Sequence, residues 1–152
     1  MDSLTLVGLL LLAAIAAGIS YRLLHGRGHK VAGKQRVDLG RLGATKNGVP
    51  TNVLGKKATL LQFSTEYCGQ CPGVRRQLAQ LEYRLGGLSH LEVDITERIE
   101  IAAKFNISQT PTIFVLNPSG EIVYRVGGVP KLPLLMQELE KLGFFETSLL
   151  NL

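Results

Sequence analysis

The first part of the chain is a long apolar segment. Residues 3–21 read SLTLVGLLLLAAIAAGISY and carry no charged side chain, and Leu23 and Leu24 extend the segment. About 20 apolar residues are needed for an α-helix to cross a lipid bilayer. A core helix of a soluble protein normally keeps a polar face, which this segment lacks. The pattern therefore predicts one transmembrane helix over residues 1–24.

A cleaved secretory signal is the alternative interpretation of this segment. Ala14, Ile15 and Ala16 resemble a small-residue cleavage site. However, a signal peptide starts with basic residues, and the first 21 residues contain no Lys or Arg. We therefore favour an uncleaved span.

From Ala58 onwards, short apolar runs alternate with segments of helical periodicity. The run ATLLQF at residues 58–63 is typical of a central strand buried on both faces. Beyond it, apolar residues recur every three or four positions from Val74 to Leu85, which predicts a helix. The full set of predicted elements is strands at 58–63, 88–93, 112–116 and 121–126, and helices at 74–85, 96–105 and 132–142. This order predicts an α/β fold with a mixed central sheet flanked by helices.

The segment between the span and the folded region is rich in glycine. We interpret residues 25–46 as a linker that passes into the domain, although Val37 and Leu39 could begin an edge strand. The domain is expected over residues 47–146, followed by a short tail at 147–152.

Charge is concentrated next to the apolar segment. Residues 22–46 hold seven Lys and Arg against one acid, whereas residues 47–152 hold ten basic and ten acidic residues. A neutral domain argues against nucleic-acid binding. A basic strip beside a span favours contact with anionic lipid and a cytoplasmic location, with the N-terminus outside. A solvated linker explains the same charges, and an extracytoplasmic domain stays possible if the topology is inverted.

The stretch TEYCGQCPG contains both cysteines of the chain, Cys68 and Cys71. A zinc site would need two more ligands, and His25 and His29 precede the folded region. A disulfide across two residues closes too short a loop to stabilise the fold much. A redox pair fits better, because the pair follows a predicted strand and opens a predicted helix.

The position of the two cysteines predicts different roles for them. The free N–H groups and the dipole at a helix N-terminus favour a thiolate, so we expect a lowered pKa for Cys68 and assign it as the attacking nucleophile. Cys71 lies one turn into the helix, where it can resolve a mixed disulfide.

Three motifs resemble the thioredoxin family over residues 58–142. They are FSTEYCGQC at the cysteines, FNISQTPT before the third strand, and VYRVGG at the last strand. The resemblance implies a cis bond before Pro111, which would pack against the disulfide, and a Thr110 backbone that pairs with an extended substrate. It also implies that Tyr67, Gly69 and Gln70 face the substrate, that protein disulfides are the substrates, and that a reductase or membrane redox partner supplies electrons. No cofactor is expected beyond the cysteines.

The sequence departs from the family pattern at several positions. Tyr67 stands where the family has tryptophan, and Gly69-Gln70 stands in place of Gly-Pro, so the family's redox potential cannot be assumed. The buried aspartate of the family falls on Gln62, which cannot titrate, and its lysine falls on Glu92. His90 is expected at the surface.

Three functions therefore remain open at this point. The first is a membrane-tethered thiol–disulfide oxidoreductase, acting as a reductase if the domain is cytoplasmic. The second is a non-catalytic peptide-binding module anchored at the membrane. The third is metal or copper handling by the dithiol, assisted by the histidines of the linker.

We hypothesise that Glu92, or a water molecule, relays the proton that the aspartate would carry. Glu92→Gln should then change the pH dependence of thiol–disulfide exchange, measured as rates across a pH series. Unchanged rates at every pH would exclude Glu92 as the relay and leave it as a surface strand residue.

Overall fold

The computed structural model describes residues 2–24, 26, 28–31 and 35–144. Its framework is a sheet of seven strands in the order β1-β7-β6-β4-β5-β2-β3. The strands are β1 Gly28–Lys30, β2 Thr45–Lys46, β3 Val49–Pro50, β4 Ala58–Ser64, β5 Leu88–Asp94, β6 Thr112–Leu116 and β7 Ile122–Gly127. The helices are α1 Ser3–Leu24, α2 Leu39–Leu42, α3 Cys71–Arg84, α4 Ile99–Lys104 and α5 Leu132–Glu140. The expected α/β architecture with a mixed sheet is confirmed.

The centre of the sheet is β4, which runs parallel to β5 and antiparallel to β6. All seven of its residues are buried, as the apolar run predicted. By contrast, β7 alternates buried and half-buried residues, because one of its faces is less completely covered. Since β4 and β5 are parallel, their carboxyl ends reach the same edge of the sheet.

Helices cover both faces of the sheet. On one face the apolar stripes of α3 and α5 pack against β4, β6 and β7, and Val74, Leu78, Leu135 and Leu139 are buried there. On the other face α2 and α4 complete a second core, which contains Phe63, Phe105 and Phe114. The ring centroids of Phe63 and Phe114 are 4.8 Å apart in an edge-to-face arrangement.

The basic segment differs from the linker expected of it. Residues 28–30 form β1 against β7, and Arg36 bridges to Glu121. The edge strand proposed at Val37 and Leu39 is wrong, because Leu39–Leu42 is a short helix capped by the Asp38 carboxylate. Among the described residues of this segment, the buried apolar side chains are those of Val37, Leu39, Leu42 and Ala44. The described basic residues Lys30, Arg36, Arg41 and Lys46 are exposed on a segment that packs on the sheet.

Among the described residues, α1 is the one helix long and apolar enough to cross a membrane, with a mean hydropathy of 2.2. None of its side chains is buried against the rest of the protein. Length and composition are all that supports a span, and an N-terminal signal sequence has the same properties. The tail expected at 147–152 lies outside the described residues.

We predict that the segment before residue 47 contributes to folding stability. Leu42 is 4% exposed in the second core, so Leu42→Ala should lower the free energy of unfolding by about 2–5 kcal/mol. The measurement is urea unfolding of the full chain in detergent. Val49→Ala is the control, because Val49 is 65% exposed and should change stability by no more than about 0.5 kcal/mol. If Leu42→Ala lowered the free energy of unfolding as little as Val49→Ala, this segment would not be part of the cooperative fold.

Candidate active site

The two cysteines join the end of β4 to the start of α3. The Cys68 N–H donates to the carbonyl of Thr65 and the Cys71 N–H to the carbonyl of Cys68, at 3.2 and 3.3 Å. Their sulfur atoms form a disulfide with an S–S distance of 2.07 Å. Cys68 is half-buried, whereas Cys71 is 2% exposed. Cys68 is therefore the sulfur that a partner protein can reach.

The start of α3 suits a negatively charged sulfur. No side chain caps the helix at Gln70, and Pro72 occupies the first turn, where the missing N–H costs no intrahelical hydrogen bond. Free backbone N–H groups and the positive end of the helix dipole thus point towards the Cys68 loop. In the reduced protein this environment favours the thiolate.

A second loop lies beside the cysteines. The peptide bond between Thr110 and Pro111 is cis, as the family resemblance implied. The hydroxyls of Thr110 and Thr65 are 3.3 Å apart and share a hydrogen bond, and Gly128 N–H donates to the carbonyl of Pro111 at 2.7 Å. The predicted residues Cys68, Cys71, Thr110 and Pro111 are thus brought to one edge of the sheet, with Thr65 as the unpredicted residue that links their loops.

The other residues predicted to face a substrate surround the cysteines at the surface. Tyr67, Gly69 and Gln70 are all exposed, and the Tyr67 side chain is 81% accessible. Their positions agree with a substrate-facing loop, and their binding roles stay predictions.

Gln62 connects the site to the interior. Its side chain is fully buried, and its amide nitrogen donates to the carbonyl of Cys71 at 3.2 Å. Its amide oxygen lies 3.1 Å from Nε2 of His90. Because the amide nitrogen is committed to the Cys71 carbonyl, the oxygen is the acceptor and Nε2 of His90 carries a proton. A chain of two hydrogen bonds therefore links an imidazole to the backbone of Cys71.

The expectation that His90 lies at the surface is wrong. His90 is 6% exposed, because β5 is an interior strand and α3 covers this face of it. Burial lowers the pKa of His90 below its ordinary value, and the carboxylates of Glu92 and Glu82 oppose part of that effect. The sequence around His90 does not indicate that its partner is Gln62 on the neighbouring strand.

Glu92 pairs with a residue that sequence reasoning missed. It lies opposite Gln62 in the β4–β5 register, and its carboxylate is 2.6 Å from Nε of Arg75 on α3. The described hydrogen bonds of Gln62 go to Cys71 and His90 rather than to Glu92. A relay through Glu92 stays a prediction, and Glu92 itself lines an open cleft of about 440 Å³. The cleft is lined by Thr45, Asn47, Gly48, Ser64, Thr65, Glu66, Arg75, Glu92 and Asp94.

The loop before Cys68 is also held by the end of β5. The Glu66 N–H donates to the hydroxyl of Thr96, which donates in turn to the Asp94 carboxylate at 2.5 Å. The hydroxyl and the backbone N–H of Thr96 both donate to the Asp94 carboxylate, and they lower the pKa of Asp94. The predicted helix at 96–105 is shorter than expected and begins at Ile99, because Thr96 is engaged in this turn.

Within the part of the chain that the structure describes, no group of three or more His, Cys, Asp or Glu side chains could hold a metal ion. His25 lies outside the described residues, and His29 is on β1. The metal hypothesis therefore has no observed site among the described residues.

Comparison with known proteins gives matches to one family. The family model described as Thioredoxin matches residues 44–141. A Thioredoxin H-type from Populus jackii is 28% identical over 105 residues, covering 69% of this chain and 70% of that protein. Thioredoxin H-type 1 from Nicotiana tabacum is 31% identical over 86 residues, covering 57% and 64%. The solved structure of thioredoxin f from spinach chloroplast has a TM-score of 0.49 at 22% identity, covering 58% and 72%.

We predict that stability falls in mild acid because of His90. Burial lowers its pKa, so the unfolded state binds more protons than the folded state as the pH falls through the ordinary histidine value of about 6.5. The contribution of a neutral His90 is complete above that pH. Below it, stability should decline by at most about 1.4 kcal/mol per pH unit. The measurement is urea unfolding between neutral and mildly acidic pH.

His90→Gln keeps a donor towards Gln62 and should flatten this pH dependence. The matched control is His29→Gln, because that side chain is exposed on β1. A decline that is the same in the wild-type chain and both variants would assign it to other groups.

Proposed function

Because the chain belongs to the thioredoxin family, we propose that it is a membrane-tethered enzyme that reduces disulfides in other proteins through Cys68 and Cys71. Thioredoxin homologues are thiol–disulfide oxidoreductases, and this chain has their fold and cysteine pair. One observation carries the proposal. The pair sits at the end of a buried strand and the start of a helix, with Cys68 accessible and Cys71 buried.

The proposed reaction is a two-step exchange. The Cys68 thiolate attacks one sulfur of a substrate disulfide, so a mixed disulfide forms, and the second substrate sulfur leaves as a thiolate that takes up a proton. Cys71 then loses its proton and attacks Cys68, which breaks the mixed disulfide and releases the first substrate thiol. Two electrons and two protons reach the substrate, and Cys68 and Cys71 end as a disulfide.

The hydrogen-bond chain from His90 supports the second step. The carbonyl of Cys71 accepts from Gln62, so the first turn of α3 is held in place while its sulfur changes partner. Gln62 cannot take the Cys71 proton. We propose that Glu92 or a water molecule in the cleft beside it accepts that proton, since Glu92 is the carboxylate opposite Gln62.

Substrate binding is proposed for the loops around the cysteines. The backbone of Thr110 would pair with an extended substrate segment, in the manner of an added strand. The cis bond before Pro111 and the hydrogen bond from Gly128 support that loop beside Cys68. Tyr67, with 81% of its side chain exposed, offers an apolar contact to the bound segment.

The tether and the direction of electron flow are proposed from α1 and the charge that follows it. The 22-residue helix would cover about 33 Å, enough to cross the hydrocarbon layer. The basic residues after it favour a cytoplasmic domain beside anionic lipid. Thiols are kept reduced in the cytoplasm, so the pair would act as a reductant supplied by an electron donor.

We expect the Cys68/Cys71 pair to have a midpoint potential near about −270 mV, the value typical of a thioredoxin reductant. The full chain in detergent is equilibrated with thiol–disulfide buffers, and free thiols are alkylated with a mass-shifting reagent. The assay reports this pair alone, because the chain has two cysteines. A midpoint above about −200 mV would contradict the reductase direction and favour an oxidant or isomerase.

Single-cysteine variants are the controls for this experiment. Cys71→Ser should hold substrates as stable mixed disulfides, whereas Cys68→Ser should form none, because Cys71 is buried. If the wild-type pair formed no reversible disulfide, the peptide-binding module would replace the enzyme as the best explanation.

A further inference from the structure

The helix α1 joins the domain at the edge that carries the active site. In the sheet, Gly28 lies opposite Val126 and Lys30 opposite Tyr124, so β1 starts where β7 ends. β7 ends beside the start of β6, since Gly127 lies opposite Thr112. We call this the reactive edge, defined as residues 65–70, Thr110–Pro111 and residues 127–129.

Close contacts fix the junction. A side-chain carbon on Gly26 would lie 2.3 Å from the carbonyl oxygen of Val129, so the two backbones touch where the chain enters the sheet. Lys131 Nζ donates to the carbonyl of Leu23 at 3.0 Å, which ties the last turn of α1 to the domain. Described contacts to the domain therefore lie before and after Gly26, from Lys131 to Leu23 and from β7 to Gly28.

The end of α1 lies close to the loop of Cys68. Leu24 and Gly28 are four positions apart in the sequence, so the chain between them spans at most about 14 Å. Three strand spacings separate β1 from β4, which is about 14 Å across the sheet. The loop of Cys68 therefore lies within a few tens of ångströms of the point where α1 ends.

The direction of α1 decides which way the reactive edge faces. None of its side chains is buried, so α1 does not pack along the domain. Its last turn lies at the reactive edge, where Lys131 contacts Leu23, and the absence of buried side chains is what is expected of a helix that leads away from this edge. If α1 spans a bilayer, the reactive edge faces that bilayer, and the opposite end of the sheet, about 20 Å away along β4, faces the aqueous phase.

We propose that the physiological partner of Cys68 and Cys71 is an integral membrane protein. Its disulfide lies close to the membrane surface that the reactive edge faces. This inference rests on the proposed function, because it requires both exchange at Cys68 and a span at α1. A disulfide near the membrane surface reaches the reactive edge by lateral diffusion, whereas a bulky soluble protein is blocked by the bilayer. Exposed Tyr67 and Val129 on the same edge suit an apolar, membrane-proximal partner.

The electron balance is that of the proposed exchange. Cys68 and Cys71 lose two electrons and two protons and become a disulfide. The disulfide of the membrane partner gains them and becomes two thiols, so no further oxidant is needed.

The orientation can be measured as the height of two labels above a bilayer. In the Cys71→Ser chain, a donor fluorophore on Cys68 marks the reactive edge. In a Cys68→Ser, Cys71→Ser, Gly86→Cys chain, the same donor marks the opposite end, where Gly86 has open space around it. Energy transfer to headgroup-labelled lipid in nanodiscs should be at least about twofold greater from Cys68, because the labels differ in height by about 20 Å. Equal transfer, or greater transfer from residue 86, would overturn the orientation.

The partner class can be tested with a spacer of about 12 Gly and Ser residues inserted after Leu24, which spans about 20 Å and frees the domain to rotate. Reduced protein in nanodiscs is given insulin, a small aromatic disulfide, or a membrane-spanning peptide with a disulfide a few residues from the bilayer. The native chain should reduce insulin about tenfold more slowly than the spacer variant does. It should reduce the membrane-spanning peptide at least as fast as the spacer variant does. Equal rates with insulin would overturn the inference.

The small disulfide separates this inference from the proposed function. Both chains should reduce it equally, because the bilayer does not block a small molecule. If neither chain reduced it, the proposed oxidoreductase function would fail, whatever the orientation of the domain.

Discussion

The burial of β4 on both faces is the constraint on which the site depends. Seven consecutive buried residues hold the strand between β5 and β6. A shift by one residue would move Phe63 out of its aromatic cluster and Gln62 into it. Because β4 is held in this register, the turn that follows it delivers Cys68 to the start of α3 and to the loop of Pro111.

Gln62 carries the one amide side chain in that strand, whose other polar residues are Thr59 and Ser64. A buried amide is costly unless its hydrogen bonds are made, and here both ends of the amide have a partner. Neutral His90 is the hydrogen-bond partner of the Gln62 amide oxygen. The side-chain pair behind Cys71 therefore carries no charge, and the ion pair between Glu92 and Arg75 lines the cleft.

Most of the fold and the centre of the site could be predicted from local patterns. Apolar runs placed β4 and β6, helical periodicity placed α3 and α5, and the cysteine spacing together with Pro111 located the chemistry. The predictions that failed concern contacts between residues that lie far apart in the sequence. The strand Gly28–Lys30 has no apolar alternation and forms only because β7 offers an edge to it. His90 is buried because α3 covers it, and no neighbour in the sequence signals that cover.

The pairing of β1 with β7 also imposes an order on biosynthesis. Gly28 and Val126 are 98 positions apart, so at about 5–20 residues per second the partner of β1 is made roughly 5–20 seconds after β1 itself. If α1 spans a membrane as proposed, the nascent domain has no fixed orientation during that interval. The proposed orientation would then be acquired only when the last strand closes the sheet, and a ribosome that stalls before β7 would leave a chain whose domain is not oriented.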